Sequence, residues 1–464
     1  MKTGGLKSMD SHNNQLRRGL DERHMHMIAL GGAIGTGLFY GSATTIQMTG
    51  PAITLAYLIG GVVIFFIMRA LGEMTLAEPV SGSISHYAGR YIGPFAGFLA
   101  GWTYWFMWII VGMAELTAIG TYFQYWFPSV PQWVPSLVAL VLMTLVNLLH
   151  VKAFGEFEFW FASIKVFAIL AMMGGGLLLI FGPIDHGSTS TGVDNLFAHG
   201  GFMPHGWKGF LLSMVLVFFS FGGVELVGMT AGEAKNPRKS IPAAVNKVIW
   251  RILIFYVGAL TIMLMLYPWN EIGAKGSPFV MIFDQIGIPA TATILNIVVI
   301  TAALSAFNSG LFSTSRMLYH LGLEGQAPRI FTKLNKAHAP QRGILFSSLL
   351  LSVAVVLNYL VPEKVFLYIS SVATVAVITS WALILLTHLR FRKANRTTAF
   401  NMPFYPYSSY FALAFLGIVV ILMAYVDSTV IALIVAPVWY LLVYVSYHVR
   451  QHIATKREKP ATTS

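Results

Sequence analysis

Apolar residues in this 464-residue chain gather into long unbroken runs instead of the alternations of a soluble amphipathic fold. Twelve runs are legible, at 25–47, 51–70, 96–123, 133–149, 157–182, 207–230, 248–267, 288–321, 344–361, 365–388, 409–426 and 429–448. Each is long enough to cross about 30 Å of hydrocarbon as a helix. The pattern predicts an all-α polytopic membrane protein with twelve transmembrane helices. Composition agrees, with 56% hydrophobic residues, 10% charged residues and a mean hydropathy of +0.69. The first run is expected to stay in the chain, because about 24 polar residues precede it and it carries a glycine cluster, unlike a cleaved signal peptide.

A net charge of +12 would suit nucleic acid, so the placement of the basic residues decides. Counted loop by loop, all but four of the 30 Lys and Arg fall on the side of the N-terminus. The exceptions are Lys208, Lys275 and Lys364 on the opposite side and Lys165 inside run 5. That asymmetry is the positive-inside pattern; it excludes a nucleic-acid partner and puts both termini in the cytoplasm. Short connections fit a bacterial cytoplasmic (inner) membrane. The absence of cysteine removes disulfides and thiolate metal sites.

Two runs are built to break. Run 1 contains "GGAIGTG" (31–37) and run 6 contains "FFSFGGVELVG" (218–228), although each interior glycine costs a helix roughly 1 kcal/mol relative to alanine. Small residues also serve close helix packing. Their matched positions, five runs apart, favour a five-plus-five inverted repeat whose discontinuous helices 1 and 6 meet near the bilayer midplane. The expected organisation is a cytoplasmic tail (1–24), a first repeat (25–182), an outside loop (183–206), a second repeat (207–388), two further helices (389–448) and a cytoplasmic tail (449–464). Nothing in it requires more than a monomer.

Unwound backbone in hydrocarbon survives only where it lines a cavity and is satisfied there. Amides around Gly35, Thr36 and Gly37, at the start of a half-helix, suit a carboxylate. Carbonyls near Ala33 and Ile34, and near Phe219 and Ser220, suit an ammonium. An α-amino acid carries both groups. Phe219 and Phe221 flank the second break, and one of them is expected to close over the substrate. Gly222 and Gly223 leave room for a medium or large side chain.

Intramembrane charges are functional candidates by default. Lys165, in "EFWFASIKVFAIL", either couples transport to protons or pins its helix to a broken one. Glu115, in "VGMAELTAIG", either faces the cavity, with Gly112 one turn away, or bonds a neighbouring helix. Glu225 reads as a structural or gating group beside the break. Glu156 and Glu158 are read as favouring the start of run 5, and Arg69 and Glu73, one turn apart, as an ion pair. No extra cavity acid beyond Glu115 points to a neutral substrate. The histidines show no metal-ligand spacing and the chain has no GxxxxGK[ST], so neither metal, cofactor nor ATP drive is expected. No nucleophile sits with a base, which argues against an enzyme.

"ALGGAIGTGLF" (29–39), "GPFAGFLAGW" (93–102), "GEFEFWFASIKV" (155–166), "FSFGGVELVGMTAGEAKNP" (219–237) and "NSGLFSTSRMLYHL" (308–321) resemble the amino acid–polyamine–organocation transporters, and among them the bacterial amino acid permeases. The likeness runs from about 16 to 450. It implies secondary active uptake by proton symport, with exchange as the alternative. It also implies that Thr36 and Gly37 hold the substrate carboxylate, that Ala33, Ile34, Phe219 and Ser220 hold the amine, and that Phe219 is the lid. By the same likeness Lys165 takes the place of a sodium ion, near Gly35 and a hydroxyl that Ser305 supplies, and Glu115 stands on the cavity wall. Individual motifs are similar to aromatic, proline, histidine, threonine and alanine permeases.

Overall fold

The computed structural model describes residues 21–31, 34–39, 41–80, 82–149, 151–182, 192–230, 234–272, 291–361, 365–394 and 398–458. Among these the regular elements are helices. Run 1 becomes α1 (Glu22–Gly31), α2 (Thr36–Phe39) and α3 (Gly41–Thr49), and run 2 becomes α4 (Ile53–Ala77). Then follow α5 (Ser83–Tyr91), α6 (Pro94–Phe123), α7 (Trp133–Asn147), α8 (Val151–Phe181) and the short α9 (Asn195–Ala198). Run 6 splits into α10 (Gly206–Ser220) and α11 (Leu226–Thr230). Run 7 is α12 (Pro237–Arg251), a π-helical segment (Ile252–Gly258) and α13 (Ala259–Leu266). The remaining helices are α14 (Thr291–Leu323), α15 (Gln341–Leu360), α16 (Val365–Lys393), α17 (Tyr407–Met423) and α18 (Val430–Glu458).

Among the described residues eight helical stretches are long and apolar enough to cross a bilayer, and α7, α10 and α17 are shorter apolar helices. The large apolar side chains left on the outside, such as Phe167 (75% exposed), Leu178 (65%) and Ile434 (64%), far exceed what a water-facing surface carries. Lipid is the solvent that tolerates them. The centre of the bundle is formed by α6, α14 and α16, whose apolar windows are 78%, 72% and 78% buried, whereas α8, α15 and α18 lie at the rim with 28%, 33% and 22%.

Several helices extend past their apolar runs. Helix α12 begins at Pro237, eleven residues before run 7, because proline at the first helical position loses no hydrogen bond and has its φ already set. Hydropathy also misses α5, whose Ile84, Tyr87 and Ala88 are buried against the bundle while its other face stays polar. At its end, Gly93 (φ 148°) supplies the turn that an L side chain rarely adopts, and Pro94 starts α6.

The expected Arg69–Glu73 ion pair does not form. Glu73 is fully buried and faces α16, where its carboxylate lies 3.0 Å from His388 Nε2 and 2.9 Å from Arg392 Nε and accepts the Met402 amide. Arg69 turns away to Asn246 Oδ1 (2.9 Å) and the Asn401 carbonyl, with its guanidinium 3.6 Å over the Phe400 ring. A neighbour one turn away lost to partners that satisfy more of a buried carboxylate at once.

Candidate functional site

The two breaks are adjacent. A β-carbon placed on Gly37 would meet Cα of Ser220 at 2.7 Å, so α2 crosses the end of α10 at backbone distance. Gly35 allows a second close approach, since a β-carbon there would lie 2.7 Å from Glu115 Oε1 and 3.3 Å from Ala306 Cβ. Between them lies a cavity of about 20 Å³. It brings together Gly35, Gly37, Glu115, Phe219, Ser220 and Gly222, with Val111 and Ala306 as additions. That volume holds about one water molecule, so an amino acid enters only if the walls part.

Behind the cavity is a polar network. Lys165, fully buried on α8, donates to the carbonyls of Gly31 (2.5 Å) and Ile34 (2.9 Å) on either side of the first break, and to Ser305 Oγ on α14 (2.9 Å). Three acceptors match the three protons of an ammonium. Ser305 passes the chain on by donating to Glu158 Oε1 at 2.6 Å. Glu158 does not merely serve a helix start: α8 begins at Val151, so the residue lies two turns in, fully buried, facing Gly31. It is seven residues before Lys165 and so on the same face of α8. Next to this network on α14, Asn308 accepts from Asn147 at 2.7 Å.

Several backbone groups expected to be open are engaged. The Thr36 amide donates to Glu115 Oε1 at 3.4 Å, and the Ile34 carbonyl is held by Lys165; both residues lie behind the cavity wall, fully buried. At the second break the Phe219 carbonyl accepts the Gly222 amide (3.0 Å), and the Ser220 carbonyl accepts the Tyr256 hydroxyl (3.0 Å). Gly112 faces away from the cavity, because a β-carbon there would meet Leu351 and Phe307. Ala33 lies outside the described residues.

Phe219 lines the cavity and packs edge-on against Phe366, centroids 6.1 Å apart. Phe221 instead joins Tyr57 and Tyr256 in a buried aromatic cluster, at 5.5 and 5.2 Å. Tyr57 donates to Ser220 Oγ at 3.0 Å, and Tyr256 lies within the π-helical segment, a wider turn of the kind that often marks functional sites. Glu225, fully buried, accepts the Gly223 amide (3.3 Å) and the Trp381 indole N–H (3.2 Å), and Gly223 has φ 102°. The carboxylate thus satisfies the turn between α10 and α11. Sequence reasoning missed Glu158, Tyr57 and Tyr256. The seven-residue spacing of Glu158 and Lys165 was a usable signal, whereas the tyrosines were hidden in apolar runs.

The family model described as "Amino acid permease" matches residues 24–459. An uncharacterized amino acid permease of Bacillus subtilis (strain 168), YtnA, is 52% identical over 445 residues, 95% of this chain and 96% of its own. A protein of the same strain named "Probable threonine/serine transporter YbxG" is 48% identical over 441 residues, 94% of this chain and 96% of its own. The aromatic amino acid transport protein AroP of Salmonella typhimurium (strain SL1344) is 47% identical over 452 residues, 96% and 98% of the two chains. With a match over nearly its whole length and a lipid-suited helical surface, this multi-pass membrane protein belongs to the amino acid permease family of transporters.

Proposed function

We propose that the chain imports a neutral amino acid across the bacterial cytoplasmic membrane by proton symport with alternating access. In this reading all twelve helical segments span the bilayer with both termini inside. Residues 25–182 and 207–388 form two inverted five-helix repeats around the paired breaks, joined by 183–206 outside, and 389–448 adds the last two helices. Amides near Gly35, Thr36 and Gly37 receive the substrate carboxylate, and carbonyls at the two breaks receive its ammonium. Phe219 closes the cavity, and Glu225 braces the break beneath it.

The observation that carries the reading is the reach of Lys165 across the first break to Ser305 and, through it, to Glu158. A protonated Lys165 ties α1 to α14. Loss of its proton removes the charge and one donor, which loosens the half-helix that forms one wall of the cavity. Proton binding then favours one conformation over the other, as any ligand with unequal affinity for two states must. Neutral selectivity follows from a lining with one carboxylate, Glu115, among the apolar Val111, Phe219 and Ala306. The printed names of YbxG and AroP, for threonine/serine and aromatic amino acids, lie within that class.

The test is uptake by the purified protein in proteoliposomes, with a panel of labelled amino acids and an imposed pH gradient. Accumulation of neutral amino acids that collapses with the gradient is expected. Counterflow without gradient-driven accumulation overturns symport in favour of exchange.

A further inference from the structure

At one end of the bundle α5 meets the end of α14, and there the fold assembles three ligating side chains from distant parts of the chain. A ring nitrogen of His86, a ring nitrogen of His320 and a carboxylate oxygen of Glu324 all lie within 4.8 Å of one another. The expectation of no metal rested on local spacing, which cannot show a pair as far apart in sequence as His86 and His320.

Four further observations support a site there. His320 is only 7% exposed, and its Nε2 has no hydrogen-bond partner among the described residues. The group opens on a cavity of about 320 Å³ lined by Ser85, His86, Arg90, His320, Glu324 and Gln326, roomy enough for an ion with its water. Glu78 Oε2 stands 3.3 Å from His86 Nε2, close enough to orient the ring. The Glu324 amide bonds the His320 carbonyl at 2.9 Å, so these two residues follow each other by one helical turn and present to the same side.

We propose that His86, His320 and Glu324 form a binding site for a divalent transition-metal ion, with zinc as the best fit. Two imidazoles and one carboxylate are the donor set of many three-ligand zinc sites, which keep a fourth position for water. The same donors select against magnesium and calcium, which take oxygen ligands. Bonds of about 2.0–2.2 Å require the ligand atoms to draw closer than they stand, and Glu324, exposed just beyond the helix, can swing in. Arg90, bonded to Glu78 at 2.6 Å, is the cation the metal works against.

A bound ion would join α5 to α14. The start of α5 also abuts α11, since a β-carbon on Gly228 would lie 2.7 Å from Ser83 Oγ. The metal therefore fixes to α14 the helix against which the far half of the second broken helix packs, and occupancy slows transport.

Calorimetric titration of the untagged full chain in detergent with ZnCl₂ tests the site. One ion per chain is expected, no binding of MgCl₂ or CaCl₂, at least tenfold weaker binding in Glu324→Gln, and loss of binding in His86→Asn and His320→Asn. His199→Asn, in a distant loop, serves as control. His86 is half-buried, so its variant gives a reading even if His320→Asn folds poorly. Absence of zinc binding, or equal binding by His86→Asn, Glu324→Gln and the wild type, overturns the site. Zinc binding that leaves amino acid uptake in proteoliposomes unchanged overturns the clamp.

Discussion

Gly37 and Ser220 stand so close that a β-carbon on the first would lie 2.7 Å from Cα of the second and 2.9 Å from its Oγ. Two interrupted helices thus touch through backbone, and the cavity exists at the point of contact. A side chain at 37 has no flexible neighbour to displace, because Ser220 Oγ is tied to the Leu216 carbonyl and to Tyr57.

Gly37→Ala is therefore expected to weaken substrate binding, and Gly37→Val to abolish it while the protein still reaches the membrane. Overpacking of this kind costs roughly 1–3 kcal/mol, or roughly 5- to 150-fold in affinity. Scintillation proximity binding on purified protein measures it. Unchanged affinity in Gly37→Val would remove the half-helix crossing from the substrate site.

Lys165 is the next test, because it connects both sides of the first break to α14. Lys165→Ala should lose accumulation driven by a pH gradient while keeping binding or counterflow. Lys165→Arg should fare little better, since a guanidinium holds its proton at any physiological pH. Proteoliposome uptake with the gradient imposed and then collapsed separates the two activities. If both variants concentrate substrate on the gradient alone, the lysine is structural and Glu115 becomes the coupling candidate.

Glu158 and Lys165 are bridged by Ser305, and removing one member of a buried charge pair leaves the other uncompensated, at about 3–5 kcal/mol. Glu158→Ala and Lys165→Met should each lower the melting temperature markedly, and the double variant should lie well above the sum of the two losses. Differential scanning fluorimetry in detergent gives the cycle. Additive losses would mean that the two groups do not interact. The double variant should still fail to accumulate substrate on a pH gradient.

These predictions mark the limits of what the sequence discloses. Both breaks were legible because glycine clusters are costly in a membrane helix and occurred at matched places, and Lys165 because a lone lysine interrupts run 5. Glu158 was hidden by its position: hydropathy starts the helix at 157, but the chain is already helical from Val151, which moves the carboxylate from a helix end to the interior. Arg69 and Glu73 misled for the opposite reason, as local spacing suggested a pair while His388 and Arg392 approached from α16. Tyr57 and Tyr256 pass for ordinary apolar positions, since only the crossing of α4 and the π-helical segment with α10 brings their hydroxyls to Ser220. Contacts between helices distant in sequence leave no periodicity to read.

Asp21 gives a pH control. Its contact with Lys235, at 2.5 Å, ties the start of α1 to the segment before α12, and the hydrogen bond from that ammonium holds the carboxyl below its ordinary value. A depressed carboxylate keeps its contact above the ordinary aspartate range of about 3.9 and loses it only as pH falls through the lower folded value. Between pH 5 and 8 the contact is therefore constant. Asp21→Asn should scale uptake by the same factor at every pH in that window, leaving the shape of the profile unchanged, and a shifted profile would show that this contact takes part in coupling.

Orientation is the prediction on which the direction of transport depends. The chain has no cysteine, so single cysteines can be placed without a background. His199 lies in the segment between α9 and α10, and Lys333 in the basic segment between α14 and α15. The distribution of Lys and Arg puts the second of these inside. In intact cells a membrane-impermeant maleimide should label His199→Cys and leave Lys333→Cys untouched until the membrane is opened. Lys333 is exposed and His199 half-buried, and labelling of each after the membrane is opened gives the reference that separates sidedness from burial. Labelling of both from outside would refute the odd number of crossings, runs 6 to 8, that the reading puts between them, and labelling of Lys333→Cys alone would invert the protein, so that the proposed importer would have to work as an exporter.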